Sequence, residues 1–199
     1  MSIIKMYMIK MLGYMIVALP FYIIGRVIFL KKKKKRVEPI RELILALFVL
    51  YIIGLASQTI IPRWNAGILG ETGEFYFDIY LFNEIAHVNL IPFHTISQYF
   101  FTTNANVDNW SGLSLINIAG NIFVFSPIGV FVPILWSRLR SLGKIFLLGL
   151  GVTCFIEFVQ LFIGRSTDID DVLLNTIGVV IGYGIYSLLK IPYYKVAFR

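Results

Sequence analysis

Most of the polar side chains that could carry out chemistry lie in one stretch of an otherwise apolar chain, residues 157–175. Its acids are Glu157, Asp168, Asp170 and Asp171, its amides are Gln160 and Asn175, and its only lysine or arginine is Arg165. A carboxylate within an apolar run is costly, so Glu157 requires either a cationic partner such as Arg165 or a bound proton. In a dry pocket, a protonated Glu157 could serve as a proton carrier or a general acid.

The three closely spaced aspartates, at positions 168, 170 and 171, have two interpretations. Aspartate oxygens at such spacing can bind calcium or magnesium. Acidic residues at the start of a helix also complement its dipole, and Asp168 or Asp170 can cap it. We favour the helix start and assign no metal site, with a divalent cation as the alternative. His87 and His94 have no zinc-binding pattern around them and are interpreted as polar interface residues.

The composition predicts a membrane protein. The chain has 199 residues, of which 58% are hydrophobic and 15% charged, and its mean hydropathy is +0.79. A water-exposed globular surface cannot accommodate such a composition. The net charge of +7 comes from basic residues beside apolar runs, so their expected partners are membrane lipids and not nucleic acid.

Five apolar runs are long enough to cross a bilayer, which predicts an all-α bundle of about five transmembrane helices. These runs are Met11–Leu30, Ile40–Ile61, Leu113–Trp136, Ile145–Ile163 and Val172–Leu189. Basic residues follow the first, third and fifth runs, which places the N-terminus outside and the C-terminus in the cytoplasm. A long extracytoplasmic segment, Pro62–Gly112, then separates the second and third helices, and its aromatic residues suggest that it lies on the membrane.

This topology divides the chain into three parts and places the polar residues at one side. Residues 1–39 hold the first helix and a basic cytoplasmic loop, residues 40–190 form the main membrane domain, and residues 191–199 form a cytoplasmic tail. At 1.5 Å of rise per residue, the polar positions of the last three helices lie within about 12 Å of the outer surface. Spacings of three or four residues put each set on one helix face, which predicts an outward-facing polar pocket. Gly178 and Gly182 indicate close helix packing.

Several separate motifs resemble the VanZ-like family. They are Asn89-Leu90-Ile91-Pro92-Phe93, the helix pattern Asn117, Asn121, Pro127 and Gly129, and the block Glu157, Gln160, Gly164, Arg165, Asp168, Asp171, Asn175 and Gly178. Together they cover residues 89–184. The resemblance implies a bacterial cell-membrane protein, some of whose relatives lower susceptibility to teicoplanin-like glycopeptide antibiotics. It also adds Asn89 to the expected pocket.

Three functions fit these observations, beside a purely structural role in helix packing. The favoured one is a resistance protein whose pocket binds a lipid headgroup, a lipid-linked cell-wall precursor or a lipoglycopeptide. The second is a membrane-embedded enzyme acting on an envelope lipid or an undecaprenyl-linked substrate, and the third, a transporter, lacks an inward polar path. The candidate catalytic residues are Glu157 and Arg165, and the candidate pocket residues are Asn89, Asn117, Asn121, Gln160, Asp168, Asp171 and Asn175.

Overall fold

The computed structural model describes residues 3–33, 38–70, 72–80, 88–101 and 110–189. Its helices are α1 (Ile3–Lys33), α2 (Pro39–Thr59), α3 (His94–Phe101), α4 (Trp110–Leu135), α5 (Leu142–Phe162) and α6 (Ile169–Leu188). Short strands occur at β1 (Arg63–Ile68), β2 (Phe75–Tyr80), β3 (Val88–Asn89) and β4 (Thr167–Asp168). A single turn of 3₁₀-helix, Ser137–Leu139, lies between α4 and α5.

Five helices of the described chain, α1, α2, α4, α5 and α6, are long and apolar enough to cross a membrane. This confirms the predicted all-α membrane fold. The predicted starts of α4, α5 and α6 were each three residues too late. Local caps begin α5 and α6 earlier. Ser141 accepts the backbone N–H of Lys144 at the start of α5, and Asp168 accepts that of Asp170 at the start of α6.

The centre of the bundle is the pair α4 and α6, which approach each other closely at glycines. A β-carbon at Gly129 would overlap the carbonyl oxygen of Val179, and one at Gly182 would overlap that of Ser126. The predicted close packing at Gly178 and Gly182 is therefore confirmed. Apolar side chains of α2, α4, α5 and α6 complete the core, and they are Leu55, Phe125, Ile128, Val132, Ile145, Ile156 and Val179.

The first two helices pack on one side of this bundle. Tyr51 of α2 donates its hydroxyl proton to the carbonyl oxygen of Val124 in α4 at 2.6 Å. Helix α1 packs against α2, where Arg26 donates to both carboxylate oxygens of Glu42 at 2.6 and 2.7 Å. Such a bidentate pair neutralises two charges that would be costly within a membrane.

The described residues between α2 and α4 have more regular structure than we predicted. Strands β1 and β2 form an antiparallel hairpin, and β3 pairs in parallel with β4. Trp64 of β1 donates its indole N–H to the Tyr14 hydroxyl at 2.7 Å, which connects the hairpin to α1. Aromatic runs favour strands as well as membrane interfaces, so composition alone did not distinguish the two. His87 lies outside the described residues.

Candidate functional site

Helix α5 and the turn after it are joined to the end of α2, where backbone carbonyls accept polar side chains. Gln160 Nε2 of α5 donates to the carbonyl oxygen of Thr59 in α2 at 3.1 Å. Arg165, in the turn between α5 and α6, donates through Nη1 to the carbonyl oxygen of Gln58 at 2.7 Å. We call this region, where α2 and α5 end and α4 and α6 begin, the polar end of the bundle. The opposite end, where α2 and α5 begin and α4 ends, is called the basic end.

Helix α4 is joined to α6 at the polar end by an amide and a carboxylate. Asn121 Nδ2 donates to Asp171 Oδ1 at 2.6 Å. Asp171 also interacts electrostatically with Asp168 and Asp170, which repel it, and with Arg165, which attracts it. Asn121 and Arg165 therefore stabilise a carboxylate that lies among other acids.

Glu157 is buried in this cluster, with 5% of its surface exposed. Its Oε2 accepts the backbone N–H of Asp168 at 3.0 Å, and its carbonyl oxygen accepts the hydroxyl of Thr167 at 3.3 Å. The carboxylate also interacts electrostatically with Asp171 and Arg165. Glu157 thus holds the start of α6 in place, and its charge is part of the same cluster.

Asp168 is the N-cap of α6 and also binds residues of β3 and α3. Its Oδ1 accepts the backbone N–H of Asp170 at 2.9 Å and the side-chain amide of Asn89 at 3.0 Å. Its Oδ2 accepts the hydroxyl proton of Thr95. These hydrogen bonds hold β3, α3 and the start of α6 together. Asp168 and Asn89 therefore have a structural role that needs no ligand.

Sequence reasoning missed the role of Asp170, which is completely buried. Its two carboxylate oxygens accept the backbone N–H groups of Phe93 and Ile96 at the start of α3. Phe93 has a positive φ of 65° and no side-chain oxygen, so it cannot cap the helix that begins at His94. Asp170 supplies the missing acceptor from a distant part of the chain. No helix was predicted at residues 94–101, so this role of Asp170 could not be anticipated.

Asn117 lies at the exposed edge of the polar end and not inside the bundle. Its Nδ2 donates to the Tyr99 hydroxyl of α3 at 3.3 Å. Burial raises the pKa of Tyr99, while the Asn117 contact acts in the opposite direction. Tyr99 also interacts electrostatically with Asp171, so α3 places a neutral phenol close to the acids.

Asn175 lies one helical turn beyond Asp171 on α6. It is buried, with 4% of its surface exposed, and its Oδ1 has no hydrogen-bond partner among the described residues. The neighbouring hydroxyls of Thr153 and Thr176 contact each other at 3.2 Å. A buried amide oxygen without a donor costs about 1–3 kcal/mol, so helix packing alone gives no reason for this amide.

The described part of the chain contains no group of three or more His, Cys, Asp or Glu side chains arranged to hold a metal ion. The acids of the polar end are instead occupied by amides, hydroxyls and backbone N–H groups. His94 is exposed, and its Nε2 lies 3.4 Å from Gln98 Nε2. In general terms the cluster offers acids, a guanidinium and a phenol, which could bind a polar headgroup or transfer a proton.

This architecture defines a class of multi-pass membrane protein with a cluster of acids and amides at one end of a glycine-packed bundle. A family model described as VanZ/LLP1 matches residues 43–190, and the chain belongs to the VanZ-like family. The match includes every candidate residue of the polar end. No curated protein and no solved structure matches the chain.

Proposed function

We propose that this protein lowers susceptibility to teicoplanin-type glycopeptide antibiotics by binding a lipid headgroup or a lipophilic ligand at the polar end. The observation that carries the proposal is the cluster of acids at the polar end, in which the buried Glu157 interacts electrostatically with the partly buried Asp171. Small residues can pack helices without the cost of inserting carboxylates into a membrane. The resemblance to the VanZ-like family, some of whose members lower susceptibility to these antibiotics, supports the resistance phenotype.

The orientation supports a ligand that arrives from outside the cell. Arg138, Arg140 and Lys144 lie at the basic end, which the positive-inside rule places in the cytoplasm. The polar end and the N-terminus then face outward, and the C-terminus is cytoplasmic. Cell-wall precursors and lipoglycopeptides both have their headgroups on that side, where Arg165 provides a cation for a phosphate or a carboxylate.

We take the buried side-chain oxygen of Asn175, which has no hydrogen-bond partner among the described residues, as a second recognition element of the proposed site. A hydroxyl or amide N–H of a ligand headgroup would satisfy it, whereas an acyl chain would not. Together with Arg165, this amide favours a ligand that has both an anionic group and hydrogen-bond donors. Lipid-linked sugar and peptide headgroups have this chemistry.

The susceptibility test uses a teicoplanin-susceptible Gram-positive host that carries the wild-type gene, an Asp171→Asn variant or an empty vector. We expect the wild-type protein to raise the inhibitory concentration of teicoplanin above that of the empty vector. Asp171→Asn should return it to the vector value, because asparagine keeps an acceptor for Asn121 but removes the charge. Asp78→Asn, which changes an exposed aspartate in β2, is the matched control and should behave as wild type. A wild-type strain no less susceptible than the vector strain would overturn the proposal.

A membrane-embedded enzyme acting on an envelope lipid or an undecaprenyl-linked substrate is the second candidate function. It is favoured by the electrostatic interaction between Glu157 and Asp171 within one acidic cluster, since carboxyl groups are suited to general acid–base work. Here Glu157 would act as the acid or base and Arg165 would bind a phosphate. Purified protein would be incubated with such lipids and magnesium, manganese or calcium. Turnover that Glu157→Gln abolishes would support an enzyme, and no turnover under any condition would exclude this candidate.

A further inference from the structure

A second candidate site lies at the opposite half of the bundle, away from Glu157 and Asp171. It is a partly open groove of about 320 Å³ between α2, α4 and α5. Its lining is apolar and consists of Phe48, Ile52, Ile128, Val132, Trp136, Leu139, Leu148 and Val152. The volume is at the lower end of the range of small-molecule pockets, roughly 300–1,000 Å³. None of the residues assigned to the polar end contributes to it.

Helical geometry places two cations where the groove reaches the basic end. Arg41 precedes Phe48 by seven residues, and therefore lies on the same face of α2 about 10 Å nearer the helix start. Lys144 precedes Leu148 by four residues and lies on the same face of α5, about 6 Å nearer its start. Trp136, at the end of α4, is a groove residue of the type that favours the membrane interface.

The hydrogen-bonding capacity of these cations is not used up within the described chain. Arg41 Nε is buried and has no hydrogen-bond partner, and its Nη1 lies 3.8 Å from the Glu42 carboxylate. That carboxylate already accepts two short bonds from Arg26. Lys144 Nζ donates to one carbonyl oxygen, that of Arg138, and an ammonium group has three donors.

We propose that the groove holds an acyl chain of an anionic phospholipid whose phosphate is bound by Arg41 and Lys144. The apolar lining suits the chain, and the two cations at its interfacial end suit a negatively charged headgroup. A zwitterionic lipid would bring an additional positive charge to this cationic end. The site is separate from the polar end, so the two proposals can fail independently.

Native mass spectrometry of the detergent-purified full-length protein tests this site with phosphatidylglycerol and phosphatidylcholine of identical acyl chains. We expect one phosphatidylglycerol to bind in preference to phosphatidylcholine. Each basic residue near a membrane surface contributes about 1 kcal/mol, so Arg41→Gln/Lys144→Gln should weaken phosphatidylglycerol binding by roughly tenfold or more. Lys144→Gln alone, at an exposed position, should give a smaller loss in the same direction without threatening the fold.

Two further variants separate the groove from general membrane affinity. Leu148→Trp should also weaken phosphatidylglycerol binding, because it fills the groove while leaving both cations in place. Lys10→Gln, which removes an exposed charge from α1 outside the groove, should bind as wild type does. Three results would overturn the proposal: equal binding of the two lipids, unchanged phosphatidylglycerol binding by the double variant, or a wild-type protein that retains no lipid.

Discussion

Gly182→Ala is expected to prevent assembly of the helical bundle. A β-carbon at this position would overlap the carbonyl oxygen of Ser126 in α4 and would also lie 3.2 Å from the Gly129 Cα. These are backbone atoms, so no side-chain rotation can relieve the overlap and the two helices would have to separate. Overpacking with side-chain relief costs about 1–3 kcal/mol, and this backbone overlap should cost more.

The matched control is Gly184→Ala, two residues further along α6, where an added β-carbon meets no atom within 4 Å. Yield of monodisperse detergent-solubilised protein and its thermal midpoint provide the measurement. Gly184→Ala should match wild type in both, while Gly182→Ala should give little folded protein. Normal yield and an unchanged midpoint for Gly182→Ala would show that α4 and α6 do not pack as described.

Asp170→Ala is expected to release α3 from the bundle. The substitution leaves the N–H groups of Phe93 and Ile96 without their acceptor. Hydrogen bonds to a charged group contribute about 1.5–3 kcal/mol each, so the loss should be at least about 3 kcal/mol. Helix α3 is too short to be stable without tertiary contacts. Its backbone amides should therefore exchange with solvent much faster than in wild type.

Hydrogen–deuterium exchange resolves this effect by segment. Faster exchange is expected over residues 94–101, with the amides in the centre of α5 unchanged. Asp78→Asn serves as the control for loss of an acidic charge, since this exposed residue lies in β2, away from the helix start. Wild-type protection of residues 94–101 in Asp170→Ala would mean that another group holds α3 in place.

The membrane helices were predictable because hydropathy and length report directly on the energy of crossing a bilayer. Close helix packing at Gly178 and Gly182 was also predictable, because two small residues four positions apart indicate it. The hairpin of β1 and β2 was missed, because a run such as Phe75–Tyr80 has the composition of a strand and of an interfacial segment. Only pairing with β1, which local sequence does not specify, distinguishes them.

The polar end could be predicted only in part. Helical spacing predicted groups of residues along each helix, but it could not say which groups meet across helices or which are used for folding. The predicted cap of α6 was confirmed at Asp168. Asp170 illustrates the limit, because its partners lie 74 and 77 residues away in the chain. The resemblance to the VanZ-like family was confirmed over residues 43–190.

Glu157→Gln tests most directly the central claim that the buried acids of the polar end have a function beyond packing. Glutamine retains an oxygen that can accept the backbone N–H of Asp168, so the fold should survive while the charge is lost. Thermal stability of the purified variant and teicoplanin susceptibility of the host, at equal membrane abundance, would be measured together. We predict a thermal midpoint close to wild type and an inhibitory concentration equal to that of the empty vector. A folded Glu157→Gln protein that protects the host as well as wild type would contradict the claim.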